Sequence, residues 1–113
     1  MSYELPAPFK ELVKEYPDVC EAFQSLGTQC HNAGPLDTKE RKLAKLGIAI
    51  GAGSEGAVHS AVRNALQADV SKEEIMHVGI LAITTIGLPN AIAAITWIKD
   101  LFEKSCPGLK LVY

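Results

Sequence analysis

Apolar residues recur along the chain at spacings of three and four, interrupted by glycine, proline and capping residues, and this pattern predicts six helices. The first spans about Phe9 to Tyr16, between Pro8 and Pro17. The second runs from about Asp18 to Asn32 with Val19, Ala22, Phe23 and Leu26 at helical spacing, and Ala33-Gly34-Pro35 ends it. Asp37 followed by Glu40 is an Asp-x-x-Glu form of the capping box, in which each end residue satisfies the other's backbone N–H. It opens a third helix through Leu43, Leu46, Gly47 and Ile50, up to an interruption at Gly51-Ala52-Gly53. Ser54 caps a fourth helix, Glu55 to about Ala68, whose apolar side includes Val58, Ala61, Val62 and Ala65. After the turn Ala68-Asp69-Val70, Ser71 and Glu74 form a second capping box and open the fifth helix, which Gly87 stops after Ile86. Pro89 opens the sixth, about Asn90 to Lys104, and the tail Cys106 to Tyr113 reads as extended.

The fifth helix changes the picture from a list of elements to an assembly. Ile75, Val78, Ala82 and Ile86 share one of its faces, and Met76, Ile80 and Ile83 share another. A helix apolar nearly all round must be enclosed on most sides. A chain of 113 residues suits one domain, residues 1–113, and has few elements to enclose it with. Self-association with closed symmetry is the economical solution, so an all-α domain that forms a homo-oligomer is expected. The composition agrees: 48% hydrophobic but only 6% aromatic, which favours closely packed helices over strands.

Charge removes several function classes. The formal charge is -2 and the basic residues are scattered, so no patch is available for a phosphate backbone or an anionic membrane surface. Neither a nucleic-acid partner nor a membrane is expected. The start, Met1-Ser2-Tyr3-Glu4-Leu5-Pro6, has neither a basic region nor an apolar run, which reads as a cytoplasmic protein without a signal peptide. The three cysteines, Cys20, Cys30 and Cys106, are odd in number and contain no CxxC pair, so neither a disulfide framework nor a structural zinc site is expected. Cys20 and Cys30 lie about 15 Å apart along one helix, too far to bridge within it, and read as buried thiols. Adjacent helical residues point in different directions, so Cys30-His31 is not read as a thiolate dyad.

One pair carries acid–base chemistry. Glu55 and His59 stand four apart on the fourth helix and share a face, where a carboxylate orients an imidazole for proton transfer. The plainer account makes Glu55 a first-turn carboxylate favoured by the helix dipole and His59 its surface partner. His77 on the fifth helix can approach from a neighbouring element or remain solvated. Glu55, His59 and His77 would together make a set of two histidines and a carboxylate, but their spacing does not demand it. No metal and no cofactor are expected. Gly51-Ala52-Gly53 lacks the ending of a phosphate loop and follows a helix, so it reads as a close helix junction. Trp97, beside Ile95 and Ile98, reads as a packing residue.

The order of these features resembles a known family. Leu36-Asp37, the Ala/Ile-rich third helix, the small-residue break, Val62-Arg63-Asn64-Ala65-Leu66 and Ser71-Lys72-Glu73-Glu74-Ile75 follow in sequence, with Pro17 to Phe23 as a leading helix. Together they resemble the carboxymuconolactone decarboxylase family, to which the AhpD-like alkylhydroperoxidases belong. The resemblance implies an AhpD-like helical fold that assembles as a homotrimer or homohexamer. In the peroxidase branch, activity rests on a Glu on the third helix, a CxxC at the head of the fourth and a His four residues after the second Cys. The matching positions here hold Lys42, Ser54, Ala57 and Ala61. Peroxide reduction needs a nucleophilic thiolate and a resolving thiol, so peroxidase activity is not expected at this site. The decarboxylase branch resembles the Glu55/His59 arrangement, which implies a small-molecule lyase. There His59 delivers a proton, and Lys42, Ser54 and His77 are candidates for holding the substrate. A non-catalytic oligomeric binding protein is the remaining alternative.

Overall fold

The computed structural model describes residues 7–104; Cys106 and the tail read as extended lie outside them. The described residues contain six helices and no strand: α1 (Ala7–Glu15), α2 (Pro17–His31), α3 (Thr38–Ala52), α4 (Glu55–Gln67), α5 (Lys72–Ile86) and α6 (Leu88–Lys104). The all-α expectation is borne out.

Local side-chain chemistry starts three of the helices. Asp37 accepts from the Glu40 backbone N–H at 2.8 Å and Glu40 returns the bond at 2.9 Å. Ser71 and Glu74 repeat the reciprocal arrangement, at 3.0 Å each way. Ser54 Oγ accepts from Ala57 N–H at 3.2 Å. These bonds satisfy amides that have no partner within the helix.

The boundaries that differ do so for physical reasons. α1 begins at Ala7, so Pro8 lies inside its first turn, where a missing N–H costs nothing. α3 runs through Gly51 and Ala52, because an isolated helical glycine costs only about 1 kcal/mol. The stop is Gly53 alone, left-handed at φ 68°, with its N–H bonded to the Ile50 carbonyl. α6 begins at Leu88, one residue before Pro89.

The chain divides into two compact units, one holding α1 and α2 and the other α3 to α6. In the first, α1 packs on α2. Cys20 is buried but Cys30 is exposed, which corrects the reading of both as buried thiols.

In the second unit, α5 and α6 make the most extensive contact, α4 packs on α6, and α3 packs on both α4 and α5. The core is aliphatic: Leu46, Val58, Val62, Ile75, Ile98 and Leu101 are all but inaccessible. Trp97 packs against this core, as its neighbours suggested. The chain itself encloses only part of α5. Ile75, Gly79 and Ala82 are buried. Ile80 and Leu81 are exposed, as are Ile48 on α3 and Leu88 and Ile92 on α6.

Glu74 also ties the head of α5 to α3. One carboxylate oxygen caps Ser71 N–H, and the other accepts from Lys39 Nζ at 2.7 Å. The Lys39 bond, with the Ser71 amide, holds the Glu74 carboxyl below the usual carboxylate range. A carboxyl lowered in the folded state stabilises the fold above its unfolded value and loses that contribution as pH falls through its folded value. Glu74→Gln is therefore expected to lower urea stability at neutral pH but to match the parent in acid below the carboxylate range. An equal deficit at both pH values would show that the charge is not involved.

Candidate functional site

The site is built from the head of α4. Ser54 caps the helix and puts Glu55 in its first turn, where the helix dipole favours a carboxylate. One turn on, His59 projects on the same side as Glu55. Val58 and Val62 take the core face of α4, which leaves His59 on the shoulder of the packed stripe, half-buried. On α6, Ala91, Ala94, Ile98 and Leu101 are buried at helical spacing. Ala93, Trp97 and Asp100 flank that stripe, all partly buried. The packing of α4 on α6 brings the two shoulders together.

His59 Nε2 lies 3.2 Å from Asp100 Oδ2 and 4.0 Å from Glu55 Oε2. The side chains of His59, Glu55 and Asp100 are 22%, 59% and 40% exposed, so the trio opens to solvent on one side. With its proton on Nε2, the ring donates to Asp100, and Nδ1 is left with a lone pair and no hydrogen bond among the described residues. A carboxylate fixing one imidazole nitrogen while the other keeps its lone pair is the arrangement of an oriented general base.

The sequence pointed to Glu55 and His59, and the structure brings them together. It adds Asp100, which sequence reasoning missed. The available signal was a carboxylate beside the apolar stripe of α6. Ser54 is next to Glu55, its oxygen engaged with Ala57 N–H. Among the described residues, neither Lys42 nor His77 hydrogen-bonds or ion-pairs with the trio. His77 is exposed on α5. Lys42 is half-buried on α3, and its ammonium is pushed below the usual lysine range by burial, then by Lys45 and Arg41.

A separate apolar groove runs between α3 and α5, lined by Gly47, Ile50, Gly51, Val78, Leu81, Ala82, Thr85 and Ile86. It contains none of the trio. At about 180 Å³ it is smaller than the roughly 300–1,000 Å³ usual for small-molecule sites. The Glu55, His59 and Asp100 side chains themselves stay partly open to solvent.

The model of the carboxymuconolactone decarboxylase family matches residues 17–100, from the first residue of α2 to Asp100. The chain belongs to this family. Neither a curated protein nor a solved structure matches it. The family match spans all three residues of the trio, while the chain contains no CxxC.

Proposed function

We propose that this family member is a small-molecule lyase of the decarboxylating kind, with Glu55 and His59 as its acid–base pair and Asp100 holding the imidazole. The observation that carries the reading is the position of His59 Nε2, 3.2 Å from Asp100 and 4.0 Å from Glu55, at the open end of the α4–α6 contact. Loss of CO2 from a carboxylated lactone leaves a carbanion-like carbon that must receive a proton. An oriented imidazole supplies one, and its flanking carboxylates stabilise the charged ring. Ser54 accepts from Ala57 N–H but keeps its own hydroxyl proton, which can bond a substrate carboxylate at a helix head. Lys42 and His77 complete the proposed substrate-binding set.

The same reading makes the chain a cytoplasmic homotrimer or homohexamer without a cofactor. Exposed Ile48, Ile80, Leu81, Leu88 and Ile92 support self-association, because apolar surface of this kind marks contact with another molecule. A neighbouring copy would supply the pocket wall that the open trio lacks. Among the described residues, no helix is long and apolar enough to cross a membrane.

The test is CO2 release from carboxylated lactones by chelator-treated protein. Turnover above the uncatalysed rate is expected, with a large loss in Glu55→Gln. No turnover in the parent chain would leave the non-catalytic binding protein, which the openness of the trio also suits. Dithiol-dependent peroxide removal is expected to be no faster than in buffer. Peroxide turnover that disappears when one cysteine is removed would reinstate thiol chemistry.

A further inference from the structure

We propose that Glu55, His59 and Asp100 bind one divalent transition-metal cation of the class represented by zinc, cobalt(II) and nickel. One ligand atom from each residue lies within 4.8 Å of the other two. An ion bound at about 2.1 Å holds neighbouring donors roughly 3.0–3.4 Å apart. His59 Nε2 and Asp100 Oδ2 already have that separation, at 3.2 Å. Glu55 Oε2, at 4.0 Å from the same nitrogen and within 4.8 Å of the Asp100 donor, has to close by roughly 1–2 Å. It is the most exposed of the three and can do so by a change of rotamer.

The donor set selects the ion. Two carboxylates balance a dication, and the imidazole favours first-row transition metals over calcium or magnesium. No thiolate is present to favour copper(I). The scaffold is firm where it matters: His59 adjoins buried Val58, and Asp100 adjoins buried Leu101, so the two shoulders are held by the core. Three protein ligands and a solvent-facing side leave coordination positions for water or a ligand oxygen, as in open rather than closed metal sites.

One consequence rests on the acid–base reading above. An ion on Nε2 takes the lone pair that forms there when the ring proton moves to Nδ1. Nδ1 then holds the ring's one proton, and the ring can no longer become the charged imidazolium that delivers a proton, so the ion regulates the proposed lyase site by silencing it.

The binding test needs no substrate. The chelator-stripped full chain is titrated with cobalt(II), followed by visible absorption, and with zinc by calorimetry. One ion per chain is expected. Loss of even an outer-sphere partner costs metal sites about 10–100-fold, so Asp100→Asn and Glu55→Gln should each weaken binding by at least about tenfold, with the helical circular dichroism unchanged. Cys30→Ser should bind like the parent. No saturable binding at millimolar cobalt overturns the proposal, as does undiminished binding in Asp100→Asn. Failure of the titration leaves the lyase reading standing, because that reading is assayed in chelated protein. Failure of the lyase assay leaves the titration untouched.

Discussion

His59→Ala is expected to lower lyase turnover by at least about 10²-fold while leaving the assembly intact, since positioned proton transfer contributes roughly 10²–10⁴-fold to catalysis. An imidazole can both give and take a proton in turn, so loss of His59 removes the proposed proton carrier itself. Asp100→Asn should cost less. The amide still reaches Nε2, but it no longer stabilises a positive ring and can favour the other tautomer. The ring sits on the shoulder of the core with 22% of its side chain exposed, so truncation leaves a gap open to solvent and not an enclosed cavity. Light scattering should therefore report the parent's mass for His59→Ala. Full turnover in His59→Ala would end the acid–base assignment. Lost turnover accompanied by a changed mass would shift the explanation to assembly.

The parts of this molecule that were legible in its sequence are those set by local chemistry. Capping residues and their partners lie three apart, so Asp37–Glu40, Ser54–Ala57 and Ser71–Glu74 could be read directly. The same holds for Glu55 and His59, four apart on α4. Asp100 could not be paired from sequence, because its contact with His59 spans 41 residues and depends on how α4 crosses α6. The different burial of Cys20 and Cys30 was legible from helix geometry alone. Ten residues at about 100° each leave it about 80° short of the direction of Cys20, so one can be buried while the other is not. Gly51 lies inside α3 and does not break it. The positive φ that stops α3 is at Gly53.

The site and the exposed apolar surface also differ in what a single chain can explain. The trio is positioned wholly within one chain, by the packing of α4 on α6. The groove between α3 and α5, with Leu81 exposed beside it, is the part that the fifth helix's all-round apolar pattern anticipated. Its position away from His59 separates the two proposals. Disrupting the assembly should act on the pocket wall, whereas altering the trio should act on the proton.

Gly79→Leu is expected to have the largest effect on stability. Gly79 faces α6 where the two helices pack closely: a Cβ placed there would lie 2.9 Å from Ile95 Cγ1 and 3.2 Å from Ile98 Cδ1. Ile98 is fully buried and cannot retreat, and both isoleucines are β-branched and stiff at χ1. Two effects oppose each other in Gly79→Ala. Removing a helical glycine stabilises by up to about 1 kcal/mol, and overpacking costs about 1–3 kcal/mol. The balance is a net loss of about 1 kcal/mol. Leucine gains no more in propensity and adds three further carbons to the same gap, so the loss should reach about 3 kcal/mol or more. For a unit of this size that lowers Tm by roughly 10–20 °C. Gly56, on α4, has nothing within 4 Å of the corresponding position. Gly56→Ala should therefore raise Tm slightly, by up to a few degrees. Thermal unfolding followed by circular dichroism reads both variants. A Gly79→Leu chain that melts within two or three degrees of the parent would show that α5 and α6 are not packed this closely in solution.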